Sequence, residues 1–210
     1  MGIPVLILGE SGSGKSCSMR NLDPETTGIY NVASKPLPFR KKFPYTINRA
    51  DYRTILHSLS NAKFKCYIID DSQYLMAFEE FARANEAGYT KFTDIAVHFN
   101  SIITYIRENM PEDVIVYFLH HTETTDDGRT KAKTSGKMID KHLTLEGLFS
   151  IVLRCQTDGK RHWFSTQSNG FDTTKSPMDM FDAEIDNDLQ LVDNTIREYY
   201  ELGGTTNESV

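Results

Sequence analysis

The sequence predicts an α/β protein with a mostly parallel sheet of five strands that helices cover on both faces. Five apolar segments rich in β-branched residues indicate buried strands, and helical patterns separate them along the 210 residues. Alternating strands and helices favour a parallel sheet, because each helix carries the chain back to the edge where the previous strand began. The five predicted strands are residues 3–8, 28–33, 66–70, 114–119 and 150–154.

The predicted helices lie between these strands. The sequence KSCSMRNL, which begins at Lys15, can start a helix soon after the first strand. Apolar residues recur at helical spacing over 50–62, which predicts a second helix. A longer helix is predicted over 93–110, with Thr93 as its N-cap and Pro111 immediately after its end.

The C-terminal part predicts a hairpin followed by a helix. Residues 150–154 and 161–166 flank the turn sequence TDGK, which favours a β-hairpin at the edge of the sheet. The sequence over 183–202 carries an apolar stripe at helical spacing and predicts a final helix. We therefore expect a single domain over 1–202 and a disordered tail over 203–210.

The stretch GESGSGKS, residues 9–16, fits the phosphate-binding pattern G-x-x-x-x-G-K-[ST]. Its glycines allow backbone turns in which amide N–H groups surround an anion, and a helix near Lys15 would add its positive dipole end. Lys15 would contact the β- and γ-phosphates, and the Ser16 hydroxyl would ligate Mg²⁺. The alternative is a Gly/Ser-rich turn that binds nothing. The expected nucleotide-binding residues are Gly9, Glu10, Ser11, Gly12, Ser13, Gly14, Lys15, Ser16 and Cys17.

A second acidic element should complete such a site. Asp70 directly follows the apolar run Tyr67–Ile69, and an acid at that point is expected to hold the magnesium shell. Asp71 has two interpretations. It is either a general base for the attacking water or the N-cap of the helical sequence that follows it.

Composition and charge describe an ordinary soluble protein. The net charge of −6 gives no overall nucleic-acid signature, so any DNA contact must come from local basic segments. The three cysteines are far apart, which argues against a metal site and favours a reducing compartment. Residues 1–8 indicate a strand, not a signal peptide, and the apolar runs are too short to cross a bilayer. We expect a cytoplasmic protein without membrane contact.

Two basic segments are candidates for contact with single-stranded DNA. Residues 34–45 interleave cations with aromatic residues, and residues 128–141 place cations among Gly, Ser and Thr. Cations can bind phosphates and aromatic rings can stack on bases. The alternative is two solvated surface loops. The candidate cations are Lys35, Arg40, Lys41, Lys42, Arg129, Lys131, Lys133, Lys137 and Lys141.

Several segments carry a family resemblance when they are taken together. They are the loop at 9–16, YIIDDSQYL, VYFLHHTE, TKAKTSGKMIDKHLTLEGLFSIVLRC and TKSPMDMF. Over about residues 3–182 the chain resembles the phage-encoded AAA/RecA-like P-loop (Walker A) ATPases, including the short RecA-core single-strand annealing proteins of phage recombination modules. The resemblance implies a RecA-like sheet in the order 5-1-4-3-2, with the P-loop strand at its centre.

The same resemblance implies roles for further residues. His120 or His121, at the tip of the fourth strand, would sense the γ-phosphate, with His121 preferred. The alternative is a pair of solvent-facing loop histidines. The segment IYNVASKP lacks the glutamate that RecA-type enzymes carry after the second strand, which leaves Asp71 as base and implies slow hydrolysis. Lys137 or Lys141 would reach the nucleotide of a neighbouring subunit in a ring or filament.

Three functions follow as expectations. The first is an ATP- and Mg²⁺-dependent ATPase that binds single-stranded DNA and promotes annealing in phage recombination, in the host cytoplasm. The second is a nucleotide-kinase-type phosphotransferase, although the sequence offers no arginine-rich lid. The third is a non-hydrolysing nucleotide-sensing partner of a replication complex.

Overall fold

The computed structural model describes residues 1–135 and 144–203. Its α/β class confirms the sequence prediction, with nine strands in one sheet within those ranges. The strands are β1 (Ile3–Gly9), β2 (Thr27–Asn31), β3 (Thr46–Asn48), β4 (Cys66–Asp70), β5 (Ile115–Thr124), β6 (Thr130–Ala132), β7 (Ile151–Thr157), β8 (His162–Ser165) and β9 (Glu184–Asp186). Within the same ranges the α-helices are α1 (Tyr52–Ser60), α2 (Gln73–Ala82), α3 (Thr90–Asn109) and α4 (Leu189–Tyr199).

The sheet is mixed, and the prediction of a mostly parallel sheet of five strands is wrong in that respect. Its order is β3-β2-β4-β5-β1-β7-β8-β9, with β6 pairing on β5. The five strands predicted from sequence are parallel and lie in the predicted relative order. The antiparallel pairs arise at β6, β8 and β9. Short turns join β5 to β6 and β7 to β8, and a short turn in place of a crossover helix allows only antiparallel pairing. β9 pairs with β8 after a longer irregular segment.

Both faces of the sheet are buried, because successive strand residues point to opposite sides. Leu6, Leu8 and Phe118 pack on one face with apolar residues of α1, α2 and α3. Val5, Ile7 and Leu119 pack on the other face with α4 and with a short 3₁₀ helix, Ser16–Asn21. The expectation of helices on both faces is confirmed.

Several predicted helix boundaries need correction. The chain after the glycine-rich loop forms the six-residue 3₁₀ helix in place of an α-helix. α3 begins at Thr90, so Thr93 is not its N-cap, although the helix does end before Pro111. The final helix begins at Leu189, because Ile185 pairs with Phe164 on the sheet edge as part of β9.

The parallel strands all point in the same direction, so their C-terminal ends lie together at one end of the sheet, across the strands. Gly9 lies opposite His121 in the β1–β5 register, and β4 ends at Asp70 on the other side of β5. The predicted tail over 203–210 lies outside the described residues except for Gly203, and so do Lys137 and Lys141. Among the described residues, none of the helices has the length and apolar character needed to cross a membrane.

Candidate nucleotide-binding site

The loop after β1 turns sharply at two glycines. Gly12 and Gly14 have φ angles of 80° and 104°, which residues with side chains rarely adopt. Within the described part of the chain, the N–H groups of both glycines donate to no backbone carbonyl. The loop therefore presents amide donors that an anion can accept.

The Lys15 side chain folds back onto its own loop. Its Nζ donates to the carbonyl oxygens of Gly9 at 2.7 Å and Glu10 at 2.8 Å. Burial lowers the pKa of this lysine to about 8, although the negative charges of nearby acidic groups favour a higher pKa. The ammonium therefore still carries its charge at neutral pH, and its carbonyl partners are ones that a phosphate oxygen can replace.

Ser16 and Asp70 come together across the cleft from positions far apart in the sequence. Ser16 Oγ donates to Asp70 Oδ1 at 2.8 Å. Burial raises the pKa of Asp70 from 3.8 to about 6, and the hydrogen bond from Ser16 only partly offsets it. A hydroxyl and a buried carboxylate side by side are oxygen donors of the kind that Mg²⁺ prefers.

Asp71 is held by two basic side chains. Its Oδ2 accepts from Lys35 Nζ at 2.7 Å, and its Oδ1 accepts from His121 Nε2 at 3.1 Å. Burial favours a higher pKa for Asp71, but the bonds from His121 and Lys35 outweigh it and keep the pKa below its usual value. Asp71 is therefore ionised at neutral pH.

The alternative role of Asp71 as an N-cap is wrong. The N-cap of α2 is Ser72, and the Asp71 carboxylate faces Lys35 and His121 instead. Asp71 also has a φ of 59°, which non-glycine residues seldom adopt outside turns and functional sites.

The two histidines of β5 have separate environments. His120 is fully buried; its Nε2 donates to the Lys133 carbonyl at 2.8 Å and its Nδ1 accepts from Ser72 Oγ at 2.9 Å. Burial lowers the pKa of His120 to about 4, so the ring is neutral at physiological pH. His121 instead lines the cleft with the loop. Of the two sensor candidates, His121 is the one that a bound nucleotide can reach.

These groups enclose a cleft of about 330 Å³. Of the predicted nucleotide-binding residues, three do not line it. The Gly9 and Glu10 carbonyls hold Lys15, while the Ser13 carbonyl accepts from Cys155 Sγ at 3.0 Å and His162 Nδ1 at 2.7 Å. The predicted residues that line the cleft are Ser11, Gly12, Gly14, Lys15, Ser16, Cys17, Asp70, Asp71 and His121.

Sequence reasoning missed Lys35 and His162 as parts of this site. Lys35 lines the cleft from the loop after β2, and His162 lines it from β8. No periodic pattern marks Lys35, whose position depends on the fold of an irregular loop. The His162 side chain would contact a Cβ at Gly14, at 2.9 Å from its Nδ1, so it supports the loop at the point where glycine is required.

The first basic segment contributes less to a DNA surface than predicted. Lys41 Nζ donates to the carbonyls of Arg20 at 3.0 Å and Leu22 at 2.8 Å, at the end of the 3₁₀ helix. Phe43 is 6% exposed and belongs to the core, so it is not available for base stacking. Arg40 and Lys42 are exposed.

The second basic segment is not a flexible loop where the structure describes it. It contains β6, which pairs with the end of β5. Lys131 lies 3.0 Å from Glu123 Oε1, and Arg129 lies 3.3 Å from Asp127 Oδ2. Lys133 is exposed, and its backbone N–H donates to the His121 carbonyl. This segment is therefore attached to the backbone of His121, whose side chain lines the cleft.

A second, larger cavity lies beside the cleft. It has a volume of about 1020 Å³ and lies between α1 and the pair α2 and α3. Ser34, next to Lys35 in the chain, lines it, together with Arg49 and Arg53. Arg49 precedes α1 and Arg53 lies within it, so the spacing of four in the sequence does not by itself place them on one helix face.

The described residues contain no cluster of three or more His, Cys, Asp or Glu side chains that could hold a metal ion unaided. Ser16 and Asp70 would instead share a cation with phosphate oxygens and water, as Mg²⁺ prefers. No protein-family model matches the chain, and no curated protein matches it in sequence. The case for a function therefore depends on the geometry of the cleft.

Proposed function

We propose that the protein binds ATP with Mg²⁺ in the cleft and hydrolyses it slowly. The observation that carries this proposal is the 2.8 Å contact between Ser16 Oγ and Asp70 Oδ1 beside the Lys15 loop. Phosphate binding needs the loop amides and the ammonium, and the cation that accompanies ATP needs the hydroxyl and the carboxylate. The loop after β1 and the start of the 3₁₀ helix supply the amides, the ammonium and the hydroxyl, and β4 supplies the carboxylate.

The strand order supports assignment to the RecA-like ATPases. β5 lies between β1, which carries the loop, and β4, which ends at Asp70. This is the arrangement that the family resemblance implies, with His121 at the intervening strand. A sheet with β1 and β4 as direct neighbours would have argued for another branch of P-loop proteins.

The residues divide the chemistry among them. Lys15 and the loop amides bind and orient the phosphates. Ser16 and Asp70 would hold Mg²⁺, which would supply positive charge to neutralise part of the phosphate charge. The oxygen of a water molecule forms a bond to the γ-phosphorus, and the bond to the β–γ bridging oxygen breaks. ADP leaves with that electron pair, and Asp71 accepts the proton of the water. His121 positions Asp71 through their shared hydrogen bond.

Steady-state hydrolysis of Mg²⁺-ATP by Asp71→Asn tests this division of roles. The amide cannot accept the proton, so we expect turnover to fall by about a hundredfold or more while ATP binding is retained. Glu80→Gln, which alters an acid outside the cleft on α2, is a control and should leave turnover unchanged. Normal turnover in Asp71→Asn would mean that another group is the base.

We further propose that the protein binds single-stranded DNA and promotes annealing. The exposed cations Arg40, Lys42 and Lys133 support this proposal. Arg40 and Lys42 follow Lys35 and Pro38, which line the cleft, and Lys133 is hydrogen-bonded to the backbone of His121. Cations of this kind bind backbone phosphates in a salt-dependent way. Replacing Arg40 and Lys42 together with Ala should weaken binding of a labelled single strand. Lys63→Ala, an exposed lysine that precedes β4 at the opposite edge of the sheet, should not.

One observation favours phosphate transfer as a second candidate. Ser34 lines the larger cavity together with Arg49 and Arg53, and the next residue, Lys35, lines the cleft. A phosphate acceptor could bind in the larger cavity. Assays with a nucleoside monophosphate or single-stranded DNA added separately distinguish the candidates. Product formation from the monophosphate supports transfer, and stimulation by DNA supports the annealing ATPase. Binding without turnover supports a nucleotide-sensing partner.

Assembly into a ring or filament is part of the same proposal. RecA-like sites gain stabilisation of the transition-state charge from a cation on the next subunit, and Lys137 and Lys141 remain the candidates. Light scattering with and without an ATP analogue and single-stranded DNA tests this. A monomer under all four conditions, with full activity in Lys137→Ala and Lys141→Ala, would contradict it.

A further inference from the structure

Lys35 brings a second ammonium group into the cleft. Its Nζ lies 2.7 Å from Asp71 Oδ2, and its side chain is 57% exposed. Lys15, by contrast, is buried, and two loop carbonyls hold its ammonium. Lys35 therefore presents a solvent-accessible positive charge in the same cleft as the phosphate-binding loop.

The backbone around Lys35 is constrained. Ser34 has a φ of 53°, and Pro36 and Pro38 restrict the segment that follows. Asn31, at the end of β2, donates from Nδ2 to the Lys35 carbonyl at 2.8 Å. The Tyr74 ring lies 4.9 Å from the ammonium and limits its position further. The lysine is thus anchored at its backbone, and its ammonium is held beside Asp71 and Tyr74 while remaining accessible to solvent.

We propose that Lys35 is a specificity-determining residue that binds the γ-phosphate and so distinguishes ATP from ADP. The inference rests on the proposed function. An ion pair with a half-exposed lysine contributes little stability, so a more highly charged phosphate in the cleft can displace the carboxylate. ADP has no γ-phosphate and leaves the Lys35–Asp71 pair intact.

The exchange would also prepare Asp71 for its role as base. In the nucleotide-free protein both oxygens of Asp71 accept hydrogen bonds, one from Lys35 and one from His121. Departure of Lys35 frees Oδ2 to accept a proton from water, while His121 continues to orient the carboxylate through Oδ1. The base becomes available only when a triphosphate is present.

Calorimetric titrations of ATP and of ADP into Lys35→Met test this inference. We expect ATP affinity to fall by about tenfold or more, because a charge-assisted contact is lost, and ADP affinity to stay unchanged. Lys65→Met is the matched control: Lys65 is also 57% exposed and lies 2.6 Å from Asp113, but it is far from the cleft. The control should bind both nucleotides as the wild type does.

A double variant separates direct contact from an effect through Asp71. In the Asp71→Asn background, Lys35→Met should still reduce ATP affinity by about tenfold. Disappearance of the effect in that background, equal losses for ATP and ADP, or no loss at all would each overturn the inference. A wild type that binds neither nucleotide would refute the proposed function itself, and that result differs from all of these.

Discussion

Asp70 and Asp71 are neighbours in the chain but have different environments. Asp70 has one neutral partner, Ser16, and burial raises its pKa to about 6. Asp71 has two basic partners, and its pKa is held below the usual value despite burial. The sequence predicted both carboxylates at this site, but it could not assign the role of Asp71, since an aspartate before a helix suits an N-cap equally well.

Asp70→Asn is expected to stabilise the nucleotide-free protein, with a larger gain at higher pH. The pKa of Asp70 is 3.8 in the unfolded chain, and burial raises it to about 6 in the folded protein. Stability of the wild type therefore falls as pH rises through that window, and the loss is complete above it. Urea unfolding of both proteins at about pH 4 and about pH 7.5 measures the difference. An equal difference at the two pH values would contradict this account.

Among the elements of the fold, the glycine-rich loop has no space for a side chain at Gly9 but has space for one at Gly12. A Cβ at Gly9 would lie 2.5 Å from Ser13 Oγ and 2.9 Å from the Cys155 carbonyl oxygen, which belongs to the backbone of β7. A Cβ at Gly12 would meet no atom within 4 Å, although its φ is +80°. An alanine at position 9 would therefore force the loop away from the sheet, whereas an alanine at position 12 would not.

Gly9→Ala should consequently destabilise the protein more than Gly12→Ala does. The positive φ of Gly12 costs an alanine about 1 kcal/mol, whereas Gly9→Ala adds steric overlap with backbone that cannot rotate away. Equilibrium urea unfolding gives both free energies. Equal losses for the two variants would mean that the loop is not packed against β7 as described.

Strands were easier to predict than the segments that join them. The five central strands are continuous apolar runs. Such short runs are typical of strands buried on both faces of a parallel sheet, so a strand was the favoured prediction for each of them. Ile185 fits the helical spacing of the residues after it, yet it lies in β9, because β8 offers an unpaired edge next to it. The 3₁₀ helix could not be foreseen either, since six residues are too few to set a period.

For the molecule as a whole, a buried polar contact ties α4 to the centre of the sheet. Tyr117 on β5 donates to Asp193 Oδ1 at 3.0 Å, and Arg197 Nε donates to Asp193 Oδ2 at 2.6 Å. Arg197 also donates to the Asp113 carbonyl, just before β5. The C-terminal helix is thereby fixed to the strand that carries His121 at its other end.

Tyr117→Phe should lower the free energy of unfolding by about 1–2 kcal/mol, because a buried carboxylate loses a donor. Tyr199→Phe is the control; its hydroxyl donates to the Met178 carbonyl and its side chain is 42% exposed. The control should change stability by no more than about 0.5 kcal/mol. Chemical denaturation measures both, and indistinguishable values would show that the contact does not stabilise the fold.

The fold of the whole molecule also explains why some residues near the cleft, such as Lys35, could not be assigned to the site from the sequence. The loop follows β1, Asp70 ends β4 and His121 lies in β5. The family resemblance implied the order of these strands, so the meeting of the three could be predicted. Lys35 reaches Asp71 from an irregular segment, and Arg49 and Arg53 line a cavity together with residues of α2 and α3. Contacts of that kind depend on three-dimensional packing that no local pattern encodes.

Calorimetric titration of Mg²⁺-ATP into the wild type and Lys15→Ala is the decisive test of nucleotide binding by the Lys15 loop in the cleft. We expect saturable binding at one site per chain in the wild type and none in Lys15→Ala, with both proteins folded by circular dichroism. Absence of saturable binding to the wild type, or equal affinity in the two proteins, would contradict it.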